Sequence, residues 1–468
     1  MPVNSFDNYP MSWKPDLNSL TGPKYTALAE LLERDIKSGK LKAGTKLPPQ
    51  RELADFLDLN PSTISKVYRL CGQKGLLSAS VGNGTYVSSD AAASPVLLCG
   101  RADSRMIEMG AIIPFVTSNL KVKEYTERLM KTPDALNLFS YGSPEGTLRQ
   151  RKAGVAWLQR ALPESSGQGA FYTDTDHIVL AAAGQNGLTA ALGACFETSD
   201  KIGTEPMTYP GIKTAAKLFG IQLLPVRSRD RELTSEGIRY AVQNENIKGL
   251  YVIPDYQNPT SHTMSLETRK MIAAAAREEN LLVIEDGINS LLAEEPLPPI
   301  ASFAPEHVIH ISSLSKTVSP GLRTAFVHVP ERFHEKLVTA LYSMNICVSP
   351  LLATVSASLI EDGAADQILT ERKRCIMERN RSVDQILKGY VLPSGATSPL
   401  RLVQLPQYFT GKSFEICARQ AGVEVYGAER FFVGNRTPEK TVRISVTTPS
   451  SVDILTDGLE RLRALLQQ

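Results

Sequence analysis

The sequence predicts a multidomain protein in which a small α+β head precedes a large α/β domain. Three observations carry this. The chain has 468 residues, more than one core ordinarily supports. Residues 24–87 hold three helical stretches followed by two short strand-like stretches. From Met106 onward, short apolar runs alternate with helical stretches, the pattern of a largely parallel sheet with helices around it. An apolar content of 42% and a charged content of 21% suit an ordinary soluble protein.

The six cysteines form no CxxC pair and the six histidines no metal-spaced cluster, so neither a disulfide framework nor a metal site is expected. No apolar run reaches the length of a membrane span, and the first twenty residues lack the apolar core of a signal peptide. A cytoplasmic location is therefore expected.

Residues 1–22 read as a polar extension. In the next stretch Tyr25, Leu28, Ala29, Leu32 and Ile36 mark one face of a helix that ends at Gly39. Pro48 and Pro49 introduce a second helix, Gln50 to Leu57, with Gln50 and Arg51 in its first turn. After a short turn Asn60 is a good N-cap, Pro61 suits the first helical position, and a third helix is expected to about Lys74. Its Ile64, Val67 and Cys71 face one way, while Ser62, Thr63, Ser65, Lys66 and Arg69 face the other. Two short strands around Gly82-Asn83-Gly84 then form a hairpin wing.

Short hydroxyls and cations at the front of a helix, one tight turn after another helix, suit a major groove. Residues 24–87 hold ten Lys and Arg against six Asp and Glu, so this region is net +4 and the remainder of the chain net −2. Candidate DNA contacts are Lys46, Gln50, Arg51, Ser62, Thr63, Ser65, Lys66, Arg69 and Asn83. The competing reading is a helical interaction domain with a solvated basic face. Leu47–Ala54, Asn60–Tyr68 and Gly82–Val87 resemble the winged helix-turn-helix of GntR-type bacterial repressors. In that family the position of Arg51 and the front of the third helix meet DNA, and many members carry arginine where this chain has Pro61. The head is placed at residues 23–88, and a linker of small residues at 89–105.

The rest of the chain, 106–468, is organised around His310–Arg323. An apolar run turns polar and leads into a loop in which Lys316 stands among Ser313, Ser315 and Ser319, with Arg323 seven residues on. A lysine that attacks an aldehyde must be partly desolvated so that its amine can be neutral, while hydroxyls and a guanidinium suit a phosphate. Together these suggest pyridoxal phosphate (PLP) carried on Lys316.

Four further stretches fit one site. Gly184, Gln185 and Asn186 follow a strand and precede a helix expected from Leu188, where backbone N–H groups would cradle phosphate. Tyr209, fixed by a Pro-Gly turn, would stack on the ring. Asn258, in a candidate cis bond to Pro259, would bond the ring hydroxyl. Asp286, at the end of a fully apolar strand, would keep the ring nitrogen protonated. Each is ordinary alone; their order along the chain is the argument.

This order resembles the fold-type I aminotransferases, with large and small subdomains. The resemblance rests on Tyr141–Arg149, Gln257–Thr260, Glu285-Asp286, Ser313–Lys316, Pro320–Arg323 and Val442–Ser445. It implies that Tyr141 reaches a neighbouring subunit's phosphate and that Arg443 clamps a substrate carboxylate. Departures are Ile288 where a tyrosine is usual, Ser261 for a glycine, and Thr324-Ala325 for a Leu-Gly pair; the first should weaken full transamination. A GntR-like head on such a domain resembles the MocR-type bacterial regulators. That implies a head-to-tail homodimer, a double-stranded DNA operator, and a small amino compound or B6 vitamer as effector. The alternative is a working aminotransferase that carries a DNA-binding head.

Overall fold

The computed structural model of the chain describes residues 11–15, 23–42, 44–73, 76–80, 84–87, 106–162, 173–434 and 438–468. The stretch expected to be a linker, and Asn83, lie outside them.

In the head, helices Lys24–Lys37, Gln50–Phe56 and Pro61–Gln73 precede the antiparallel pair Leu77–Ser80 and Gly84–Val87. Leu28, Leu32 and Ile36 from the first helix, Leu53 from the second, and Ile64, Val67 and Cys71 from the third are fully buried together. Truncating such a leucine to alanine costs roughly 2–5 kcal/mol. Tyr25 was expected on the same face but is exposed: one turn before Leu28 the helix has run past its neighbours, and the Lys66 amine lies 5.9 Å above its ring. Trp13, from the stretch expected to be an extension, is buried in this core and donates from Nε1 to Asp35 at 3.0 Å. The wing gains a third member, because Leu47 N–H donates to Thr85 O and Val87 N–H to Thr45 O.

The large sheet has seven strands in the order Ile178–Ala181, Ala325–His328, Val308–Ser313, Leu282–Asp286, Gly249–Val252, Lys201–Thr204, Gln222–Pro225. Ala325–His328 is antiparallel to both neighbours and all other pairings are parallel. Five of these strands are buried along their whole length, as in a sheet whose two faces are both covered by helices.

A smaller antiparallel sheet, Leu400–Gln404, Thr441–Ser445 and Tyr426–Gly427, forms the second subdomain. Ile107–Glu108 pairs with Val423–Glu424 beside it, so the start of this region is tied to its end. Among the described residues no helix is long and apolar enough to cross a membrane, and no group of three His, Cys, Asp or Glu could hold a metal.

Candidate functional site

Parallel strands place their carboxyl ends on one edge, and ligand sites of open α/β sheets form there. Leu282–Asp286 and Val308–Ser313 pair in parallel with Asp286 opposite Ile311, so Asp286 and the segment after Ser313 share that edge. Asp286 is buried. Its Oδ2 accepts from the Tyr251 hydroxyl at 2.7 Å, while Oδ1 has a longer contact, 3.3 Å, from Ile288 N–H. Burial holds its carboxyl above the ordinary value, and the Tyr251 bond opposes that shift. Oδ1 thus retains capacity for a further donor.

The Lys316 segment is not the loop the sequence suggested. A single helical turn, Leu314–Thr317, follows the strand, started by Ser313, whose hydroxyl accepts from Ser315 N–H at 3.2 Å. Ser313 also donates to Thr324 O at 3.4 Å, so its hydroxyl is engaged within the turn. Lys316 donates from Nζ to Ile112 O. Burial, and the nearby Arg443, Arg372 and Arg323 guanidiniums, push its amine down to about 8.

Arg443 comes from the middle strand of the small sheet and is fully buried. Its Nη1 donates to Asn258 Oδ1 at 2.7 Å and its Nη2 to Gly110 O, while Nε has no partner. Phe431 and Tyr426 flank it at 4.7 and 5.3 Å, and burial lowers it to about 10. Asn258, expected on a ring hydroxyl, is here oriented by Arg443; the Asn258–Pro259 bond is cis.

The phosphate turn also differs from expectation. The helix begins at Gly184, not Leu188, because Ala183 adopts φ 73° and turns the chain straight into it. Gly184, Gln185 and Asn186 are therefore the helix's first turn, where N–H groups lack intrahelical acceptors. Asn186 Oδ1 accepts from Ala182 N–H at 2.9 Å, which pins the turn. A Cβ on Gly184 would meet Ser313 Cβ at 3.5 Å and Ile288 Cδ1 at 3.6 Å, so helix start, lysine strand and Ile288 converge. Arg323, exposed and at φ 45°, places Nη2 3.4 Å from Ala182 O at the same point.

Tyr209 is not in a Pro-Gly turn: it is the N-cap of helix Pro210–Phe219, with Pro210 in the first helical position. A Cβ on Gly211 would lie 2.1 Å from the Tyr209 ring and 2.3 Å from Gln185 Oε1, so only glycine lets that ring lie flat against the helix. Burial and the Asp286 charge push the Tyr209 phenol up to about 12. Tyr141 stands apart, 84% exposed, among exposed Leu136 and Phe139.

In the head Lys46, Gln50, Arg51, Ser62, Ser65, Lys66 and Arg69 are exposed, and Thr63 is half-buried. Ser65 donates to Gln50 Oε1 at 2.6 Å, which joins the polar faces of the second and third helices. Lys46 bridges to Tyr86 of the wing.

Sequence reasoning missed Tyr251, Glu205 and Arg372. A lone phenol in the run Leu250–Ile253 was the available signal for the first. Glu205 is buried with its carboxyl pushed up to about 8 by burial, and Gln257 Nε2 donates to it at 3.3 Å. Arg372 donates to Thr317 O at 3.1 Å and Val318 O at 2.7 Å, which fixes the turn carrying Lys316.

Two known protein families match the chain. Residues 113–459 match the family model "Aminotransferase class I and II" and residues 24–87 match "Bacterial regulatory proteins, gntR family". The chain belongs to the MocR type of transcription regulators. This MocR-type chain is 46% identical over 466 residues to the uncharacterized HTH-type transcriptional regulator YdeF of Bacillus subtilis strain 168, covering 100% of this chain and 99% of the relative. It is 24% identical to the vitamin B6 salvage pathway transcriptional repressor PtsJ of Salmonella typhimurium strain LT2, over 95% of this chain and 99% of that one. An archaeal alanine:glyoxylate aminotransferase structure covers 77% of this chain and 91% of its own, with TM-score 0.69 at 19% identity, and so shares the fold.

The residues fit PLP, the cofactor the fold implies. Asp286 Oδ1 can accept from a ring nitrogen, Lys316 is held where its amine is readily neutral, and two buried polar atoms, Gln185 Oε1 and Arg443 Nε, have no partner.

Proposed function

We propose that this regulator holds PLP through Lys316 and responds to a small amino compound or a B6 vitamer at that site. The observation that carries the reading is Lys316 itself: a lysine with its amine pushed down to about 8, one helical turn beyond the strand that pairs with the Asp286 strand. PLP, when bound, supplies an aldehyde and an electron-withdrawing ring.

The chain's own groups have these tasks. Lys316 contributes the amine. Asp286 accepts the ring nitrogen's proton-bearing bond on Oδ1, with Tyr251 keeping its carboxylate oriented. Tyr209 covers the ring. Arg323 and the amides of Gly184, Gln185 and Asn186 hold the phosphate, with Ser313 exchanging its long bond to Thr324 O for one to the phosphate, joined by Tyr141 of a second copy. Arg443 receives an effector carboxylate, with Asn258 as its orienting partner. Gly110 O and Asn258 Oδ1 each take one N–H of Arg443, which leaves its Nε and the remaining N–H groups for an incoming carboxylate.

In the head, Arg51, Lys46, Lys66 and Arg69 meet phosphates, while Gln50, Ser62, Thr63 and Ser65 face base edges, with Asn83 as a further contact of the wing. In a head-to-tail dimer two heads read paired half-sites, and the effector acts by preferring one arrangement of them. PtsJ, by its name, represses a vitamin B6 salvage pathway, which favours a B6 vitamer or an amine that reacts with one.

The test is twofold. Added PLP should give a visible absorption band that Lys316→Ala abolishes, and gel-shift affinity for an operator fragment should change when amines are titrated into the holoprotein. A Lys316→Ala protein that retains the band refutes the assignment. Ile288, where a phenol is usual in aminotransferases, predicts that released 2-oxo acid stays below one equivalent per site; sustained turnover would favour the enzyme reading.

A further inference from the structure

A cavity of about 220 Å³ lies between the segment after Ile112 and the long helix Ala364–Ile386. Its walls include Phe115, Ser118, Lys121, Ile368, Arg372 and Cys375, and none of the residues assigned above to PLP or effector lines it.

Arg372 is the unusual member. It is 97% buried, and three of its contacts are neutral: Thr317 O, Val318 O, and Ser118 Oγ at 3.0 Å. Nε and Nη2 make those contacts; the third nitrogen, Nη1, is buried with no hydrogen-bond partner among the described residues. Among the described residues no carboxylate pairs with it, and burial lowers it to about 10. The one carboxylate on the cavity wall among the described residues, Glu371, has its charge met by Arg374 at 2.7 Å.

A second buried guanidinium, Arg379, stacks on the same Phe115 ring at 4.5 Å and donates to Val446 O and Pro449 O, again with no carboxylate partner among the described residues. Lys121 stands at the rim, its ion pair to Glu124 exposed on both sides. A buried cation without an anion is costly, and each unmet N–H adds to that cost. Phe115 and Ile368 give the space an apolar body next to the charge. A volume below that of drug-sized pockets restricts it to a small molecule.

We infer that this cavity binds a small organic carboxylate, its apolar body against Phe115 and Ile368 and its charge beside the Arg372 guanidinium, at a site separate from that of Lys316. The inference is independent of which group Lys316 carries. Such a ligand meets the guanidinium that anchors the carbonyls of Thr317 and Val318, so its occupancy reaches the Lys316 turn through a single side chain.

Isothermal titration of the purified full-length protein with isovalerate, and separately with inorganic phosphate, tests it. Isovalerate should bind with one site per chain. Arg372→Gln and Cys375→Phe, the latter filling the space from a half-buried wall while leaving the Arg372 bonds intact, should each weaken it by roughly tenfold or more. Circular dichroism and melting temperature of both variants establish that they fold. Three results overturn the inference: no isovalerate heat in the wild type, heat that survives Cys375→Phe (binding then lies at Arg443), and phosphate binding without isovalerate binding, which removes the apolar part.

Discussion

The amine of Lys316 is held near 8 by burial and three guanidiniums, against about 10.4 for an exposed lysine. At pH 7 that leaves about 9% of it neutral where an ordinary lysine has about 0.04%, a roughly two-hundred-fold larger supply of nucleophile. Apoprotein mixed with PLP across pH 6–10 should therefore capture it at a rate that rises through an inflection near 8 and then levels. The perturbation is Arg443→Gln. It removes the largest of the three cationic contributions, so the inflection should move to higher pH and capture at pH 7 should slow by several-fold. Stopped-flow absorbance at matched ionic strength measures both. A wild-type profile that still rises at pH 10, or an Arg443→Gln profile superimposed on the wild type, refutes the account of how this amine is prepared.

Other consequences follow from the same geometry. Asp286→Asn should weaken PLP affinity by about 1.5–3 kcal/mol, the worth of a hydrogen bond to a charged group, in equilibrium dialysis; unchanged affinity would place the ring nitrogen elsewhere. Arg51→Ala or Lys66→Ala should each cost roughly 1–3 kcal/mol in operator binding by gel shift and reduce the salt slope where a phosphate contact is lost. Glu205 is raised to about 8, so the folded chain holds a proton that the unfolded chain has released above about pH 5. Its share of stability is present at low pH and lost as pH climbs to 8, at about 1.4 kcal/mol per unit. Glu205→Gln should flatten the fall in urea midpoint between pH 5.5 and 8, and parallel curves would contradict it.

Lys316, Asp286 and the head's three helices were legible because each depends on local pattern: a buried strand that ends in a polar residue, or an apolar stripe with caps. What was not legible depends on distance. Arg443 could be matched to a carboxylate clamp, but its complete burial follows from Gly110 O and Asn258, 333 and 185 positions away. The helix start at Gly184 turned on a single backbone angle at Ala183 that an alanine does not advertise. Arg372 sits in a charged helix that reads as solvated, and only the packing of Phe115 and Ser118 over it takes its guanidinium out of water.

Ser261 stands in the loop that carries Asn258, at φ 60°, where the resemblance leads one to expect glycine. A side chain in that conformation costs roughly 1–2 kcal/mol. Its hydroxyl is shared with Ser394 and Ser398 at 2.5 Å and donates to Leu400 O at the edge of the small sheet. The residue thus acts as a rivet across two plates, and Ser261→Gly would leave the Arg443–Asn258 bond to carry that join.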